Sequence, residues 1–250
     1  MTVNTIIIFL FGLIIGSFLN SVIFRLHQKR SFLEGRSYCP KCRHQLSVRD
    51  LIPVVSFLIQ KGKCRYCQKK ISWQYPLVEL ATALVFIALY LNFGLSLKFF
   101  IYSLYSFFLI VIFVYDLKYY LVLDGVAIPA ILLGFLGSLI IGMSLTKLLI
   151  GGIIGLGFFL IQFVVSKGKW IGGGDLRLGL MCGFMVGWPN ISLLLFLTYL
   201  IGAMVAIALL SLKRKKWGDV LPLGIFISFA TMVVLLFGDG IIHWYLDFLT

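Results

Sequence analysis

The chain alternates between long apolar runs and short polar breaks. Eight runs read as helices, over about 3–24, 76–95, 98–115, 122–142, 145–166, 175–189, 191–212 and 221–246. Most approach the roughly 20 apolar residues a helix needs to cross a bilayer. The sixth is short and reads as tilted or broken. The breaks "NFGLSLK" (92–98), "GMSLTK" (142–147) and "GWPN" (187–190) are turn-like and poor in charge. One segment, about 25–75, stays polar throughout. The pattern predicts an all-α polytopic membrane protein of about eight transmembrane helices: a first helix over 1–24, a small polar insert over 25–75 and a helical bundle over 76–250. The first run has no basic leading stretch and no small-residue cleavage site, so it reads as a retained helix rather than a signal peptide.

Composition agrees, since 61% of the residues are hydrophobic against about 45–50% in soluble domains. Charge adds orientation. Of 22 Lys and Arg residues, twelve lie in 25–70, and Lys118, Lys167, Lys169, Arg177 and the run "KRKK" at 213–216 add eight. Only Lys98 and Lys147 fall in the other set of loops. The excess of positive charge marks the cytoplasmic side, so the insert is expected in the cytoplasm and the N-terminus outside. The net charge of +13 is topology first and attraction to anionic lipid head groups second. The bilayer is the expected partner, and nucleic acid is not.

The insert holds "CPKC" at Cys39 and Cys42 and "CRYC" at Cys64 and Cys67. Two C-x-x-C pairs at this separation are close to four-cysteine zinc spacing. Each pair places two sulfurs on one edge of a tetrahedral metal. A reducing cytosol disfavours the alternative of two disulfides. Four thiolates leave no open coordination position, so the metal would be structural, folding a loop too small for its own core. Cys182 lies in an apolar run and reads as packing.

With 9 acids in 250 residues, each acid beside an apolar run needs a reason. Ionisable groups at membrane depth are costly and usually functional. Asp116 ends the 98–115 run, where the helix dipole disfavours an anion. Asp124 opens the next run, where capping and function are equally good readings. Asp175 follows Gly172, Gly173 and Gly174. Glycines admit close backbone approach, and these three are read as a substrate-approach loop. Two carboxylates held close share a proton: one stays ionised as a base for water, while the other acts as an acid toward a carbonyl. Glu79, about one turn into the 76–95 run, reads either as an ion pair with the basic insert or as an auxiliary group.

Four motifs in order now carry a resemblance: "GSFLNSVIFRL" (16–26), the cysteine insert continuing into "ISWQYPLVEL" (71–80), "D-x7-D" from Asp116 to Asp124, and "GGGD" at 172–175. Together they resemble the type IV prepilin leader peptidases, membrane aspartic peptidases of the G-x-G-D type. The resemblance implies that Asp116 and Asp175 are the catalytic pair, that Asp124 is a further aspartate of the family, and that the substrates are prepilins or pseudopilins cut at the cytoplasmic face of a bacterial cytoplasmic membrane. It also implies N-methylation of the new N-terminus with S-adenosylmethionine, associated with the insert. No nucleotide-binding fingerprint appears in the sequence. Arg177 stands where the family often has lysine. A proton-coupled transporter using the same aspartates is the alternative; it calls for midplane acids and repeated halves, and no repeat is visible. A non-enzymatic zinc-bearing scaffold would leave "GGGD" without a purpose.

Overall fold

A computed structural model describes residues 3–29, 31 and 35–249. Each of the eight apolar runs forms a helix: α1 (Val3–His27), α3 (Gln74–Phe93), α4 (Leu97–Tyr119), α5 (Asp124–Ile140), α6 (Leu145–Val165), α7 (Gly173–Val186), α8 (Asn190–Ser211) and α9 (Leu223–Leu249), with the short α2 (Val55–Ile59) in the insert. The described residues hold no strand, only the bridges Tyr38–Gln45 and Lys63–Lys70. Among the described residues six helices are long and apolar enough to cross a membrane; α5 and α7 are shorter. At 1.5 Å per residue, the 14 residues of α7 reach about 21 Å, short of a hydrocarbon core of about 30 Å. The sequence thus encodes a multi-pass membrane protein in which the "GGGD" helix is a short one.

The chain forms two compact units, Met1–Phe99 and Phe100–Thr250, so α3 groups with α1 and the insert rather than with the later helices.

In the first unit α1 crosses α3 through glycine. A Cβ on Gly12 would lie 2.6 Å from Ala83 Cα, and one on Gly16 would lie 2.6 Å from Glu79 Cα. Asn20 ties the same crossing polar-to-polar, its Nδ2 donating to the Tyr75 carbonyl at 3.0 Å and its Oδ1 accepting from Gln74 at 3.1 Å.

The insert is built on two matching knuckles. Cys39 N–H donates to His44 O (2.9 Å) and Arg43 N–H to Cys39 O (2.8 Å); Cys64 N–H donates to Lys69 O (2.9 Å) and Gln68 N–H to Cys64 O (2.9 Å). The fourth residue after each leading cysteine takes positive φ, 59° at Arg43 and 56° at Gln68. Between the knuckles sits Asp50, absent from the sequence reading. It accepts from the Ser47 N–H and hydroxyl (3.0 and 2.7 Å), Gln60 (3.2 Å) and the Tyr66 hydroxyl (3.2 Å), and it pairs with Arg65 Nε at 3.2 Å. Burial raises its pKa, but the Ser47 donors, Arg65 and Tyr66 outweigh this and hold it below its ordinary 3.8. A carboxylate with a depressed folded pKa stabilises above its unfolded value and loses that contribution as pH falls through the folded one. At pH 7, Asp50→Asn is expected to loosen the insert by about 1.5–3 kcal/mol, the range for hydrogen bonds to a charged group. The gap from wild type should close as pH falls below 3.8. Proteolysis of the insert measures both.

In the second unit α6 and α7 meet backbone to backbone. A Cβ on Gly151 would stand 2.6 Å from Gly183 O, and Gly155 and Gly179 face each other as closely. Small residues spaced by four let membrane helices approach in this way. A methyl on Gly179 would meet the Gly155 carbonyl and lie 2.5 Å from the Phe159 ring. Backbone cannot step aside as a flexible side chain can. Gly179→Ala is therefore expected to lower stability toward the upper end of the roughly 1–3 kcal/mol that overpacking costs. Thermal unfolding in detergent measures it.

Candidate active site

The second unit places Asp116, Asp124 and Asp175 at helix ends. Asp116 lies in the last turn of α4 and is 4% exposed. Its own helix presents a negative dipole end there, an unfavourable place for an anion. The fold offsets this with another helix. The first turn of α9 faces the carboxylate with the N–H groups of Gly224 and Ile225. A Cβ on Gly224 would lie 2.7 Å from Asp116 Oδ2, so only glycine lets the helix start come this close. Helix N-termini favour anions. Oδ2 itself is buried with no partner in hydrogen-bonding geometry, an acceptor left for another group. The sequence reading did not single out Gly224; its position just after "KRKKWGDVLP", at the start of the last apolar run, was the only signal.

Asp175, in the first turn of α7, accepts from the Gly172 N–H at 2.9 Å. It thus also serves as a helix cap. Asp116 lies within electrostatic reach of it, so the fold brings these two acids together across 59 residues of sequence. The three glycines divide their work. Gly172 is extended, at φ −87° and ψ 162°. A Cβ on Gly174 would lie 2.8 Å from Val122 Cβ, whereas one on Gly173 meets nothing. Gly174 therefore seats α7 against the segment joining α4 to α5, while Gly172 and Gly173 are exposed. Tyr199 on α8 also feels the Asp175 charge and donates to Gln162 Oε1 on α6 at 2.7 Å. Neither was anticipated.

Asp124 is the first residue of α5. The cap position belongs to Leu123, which has no capping side chain. Asp124 pairs instead with Arg177 Nη1 on α7, and both side chains are substantially exposed. Arg177, two residues past Asp175, thereby links the start of α5 to the start of α7. Cys182 is fully buried and accepts from Thr231 Oγ1 at 3.1 Å, a packing role.

In the first unit the sulfur atoms of Cys39, Cys42, Cys64 and Cys67 lie within 4.8 Å of one another, and all are free thiols. Zinc–sulfur bonds of about 2.3 Å imply a tetrahedral edge of roughly 3.8 Å; Cys39 and Cys67 stand 4.0 Å apart. The donor set fits a four-thiolate metal. Burial opposes ionisation of Cys39, but hydrogen bonds from the Cys42 and Lys41 backbone and from the Cys42 and Cys64 thiols bring its pKa down from 9.0 to about 7. Glu79 is buried on α3, where it accepts from the Val54 N–H at 2.7 Å and bonds the Ser17 hydroxyl. The sequence reading offered it an ion pair with the insert; the partners found are an N–H and a hydroxyl.

An all-helical, multi-pass membrane protein with two acids in electrostatic reach of each other at helix ends, joined to a four-thiolate insert, defines the class. Residues 10–93 match the bacterial peptidase A24 N-terminal domain, and residues 103–207 match the type IV leader peptidase family. The chain is 35% identical over 246 residues to the prepilin leader peptidase/N-methyltransferase of Bacillus subtilis, covering 96% of this chain and 97% of that protein. It is 34% identical to the protein of that name from Aeromonas hydrophila (96% and 93% covered) and 32% identical to that from Pseudomonas aeruginosa (96% and 92% covered). No solved structure matches. The chain belongs to the type IV leader peptidase family.

Proposed function

We propose that this protein is an aspartic endopeptidase that removes the basic leader of type IV prepilins or pseudopilins, and that it then N-methylates the new N-terminus with S-adenosylmethionine. Asp116 and Asp175 are the catalytic pair. The observation that carries the reading is buried Asp116, with a partnerless Oδ2, in electrostatic reach of Asp175. One carboxylate takes a proton from water; the other, protonated, polarises the scissile carbonyl. Gly172 and Gly173, exposed beside Asp175, leave backbone room for an extended substrate. Asp124 acts through its pair with Arg177 rather than on the substrate, and Glu79 supports the first unit. Zinc is the metal of the four cysteines and its role is structural. The insert and the aspartates face the cytoplasm of a bacterial cell membrane, as the 20-to-2 distribution of basic residues indicates.

Leader cleavage needs acids where a substrate helix leaves the bilayer. Asp116 and Asp175 lie at helix ends rather than mid-helix, which suits cleavage better than a proton relay through the membrane. Incubation of the purified protein in detergent with a prepilin, followed by mass spectrometry, tests the reading. Expected products are the free leader and a mature pilin that gains one methyl group when S-adenosylmethionine is added. Proton flux in liposomes without cleavage would overturn it in favour of a transporter.

A further inference from the structure

Inside the polar insert one stretch is apolar. Leu51–Ile59, "LIPVVSFLI", carries no charge and a single hydroxyl, with Arg49 and Asp50 just before it and Lys61 just after. It is too short to span a bilayer. Contact with water suits it poorly, because Ile52, Val55, Leu58 and Ile59 are exposed, the last two at 64% and 72%. Leader cleavage by the two aspartates gives these side chains no task.

Contacts with α1 and α3 fix the level of this stretch. The Val54 N–H donates to Glu79 on α3 at 2.7 Å. The same carboxyl group bonds the Ser17 hydroxyl on α1, and Gly16 packs against the Glu79 backbone. Ser17 precedes Arg25, the first charged residue of α1, by eight positions, about 12 Å of helix. Glu79 lies five residues inside α3, roughly 8 Å from its start. Val54 therefore sits beside the apolar parts of two helices long enough to cross a membrane, not beyond their ends. Leu51 and Pro53 line one cleft with Ile14, Ser17 and Phe18 of α1. Phe57 then packs on Trp73, just before α3, with ring centroids 5.0 Å apart. The chain thus descends to Val54 and climbs through α2 to the level at which α3 begins.

The apex suits surroundings without water. Val54 sits at φ 61°, which is rare for a β-branched residue and persists only where neighbours hold it. A backbone N–H without a partner is costly at membrane depth. Pro53 has no N–H, Val54 donates to Glu79, and Val55 and Ser56 donate to Pro53 O and Ile52 O at 2.6 and 3.0 Å. Non-helical backbone in a membrane has to lie against protein, and Pro53 and Val54 are half-buried. Glu79 thereby acquires a role as the acceptor for the apex N–H.

We propose that Leu51–Ile59 is a re-entrant membrane segment, and that Ile52, Val55, Leu58 and Ile59 contact lipid acyl chains in the leaflet on the insert's side. Two features favour lipid over a protein partner. Trp73, Leu77, Leu80 and Leu84 are exposed and recur at helical spacing along one face of α3. The patch joins this apolar stripe through the Phe57–Trp73 contact, so it extends a surface that already faces the bilayer. Arg49, Lys61 and Lys63 flank it and are exposed, as suits contact with anionic head groups. The two cysteine knuckles, one on either side of the segment in sequence, are in this way held at the membrane surface rather than carried on a free loop.

The test uses the full-length protein in nanodiscs that contain a phospholipid with a photoreactive diazirine midway along one acyl chain. After irradiation, labelled residues are mapped by mass spectrometry. Label on residues 52–59 is expected at a yield comparable to that on Leu77, Leu80 and Leu84, with the knuckles at 39–47 and 63–70 left unlabelled. The wild-type result decides by itself: a labelled α3 stripe beside an unlabelled 52–59 would overturn the proposal. Leu58→Glu combined with Ile59→Glu should cut the label on this stretch roughly tenfold, since charged groups avoid the apolar layer. A variant with an unchanged melting temperature and unchanged label would count against the proposal. A benzophenone-bearing residue at position 58 supplies the last check. Crosslinks to lipid are expected, whereas crosslinks to a second copy of the chain would assign this face to a protein contact and overturn the lipid assignment.

Discussion

Asp116→Asn is expected to abolish prepilin cleavage while the helices stay folded. The amide keeps the shape and an oxygen that can accept from the first turn of α9, where Gly224 and Ile225 face it. It cannot take up or give the proton that the reaction needs. General acid–base groups contribute about 10²–10⁴-fold, and losing one member of a pair that acts as a unit removes most of the joint effect. Asp175→Asn is expected to do the same. Asp124→Asn is expected to cost much less, because its exposed pairing with Arg177 is of a kind worth about 0–1 kcal/mol. A second substitution separates geometry from chemistry. Gly224→Ala removes no ionisable group, yet its methyl would sit 2.7 Å from Asp116 Oδ2 and displace the carboxylate. Cleavage should fall with it. Rates measured on a fixed prepilin decide the matter: an active Asp116→Asn beside an inactive Asp124→Asn would mean that Asp124, not Asp116, works with Asp175.

The second large effect concerns the insert. One zinc per chain is expected by metal analysis, and Cys39→Ser should lose most of it. Structural zinc contributes apparent binding energies of about 10–16 kcal/mol in small zinc peptides. The matched knuckles have little else to hold them, since Cys39 and Cys64 are the only buried residues in the segment 35–53 and 60–70. Limited proteolysis should therefore cut the variant within the insert while the α4–α9 unit keeps its thermal transition. Recovery of metal-free wild-type protein with two disulfides in this region would contradict the zinc assignment.

The helices were legible because burial in lipid writes long apolar runs into the sequence. The four-cysteine cluster was legible because metal ligands must come in spaced pairs, and Asp116 stood out because it lies at the wrong end of its own helix. What the sequence hid are partners supplied from far along the chain. Nothing near Asp116 says that the start of α9 offsets its charge. Nothing near Asp124 names Arg177, 53 positions away. Asp50 looked like one polar residue among many in a polar loop, because its hub role exists only once Ser47, Gln60, Arg65 and Tyr66 have converged. Glycine was ambiguous for a related reason. The run before Asp175 suggested room for substrate, but a missing side chain signals equally a neighbour's close approach, and at Gly174 that neighbour is Val122.

The docking of α9 onto Asp116 also sets an order in time. Chains fold as they are synthesised, N-terminal parts first. Both aspartates leave the ribosome well before residue 224, so a nascent chain carries the two acids while the amide groups that face one of them do not yet exist. Only when the last helix enters the membrane is the pair given its full surroundings. If Asp116 and Asp175 are the catalytic pair, the contacts from α9 reach that pair late in synthesis.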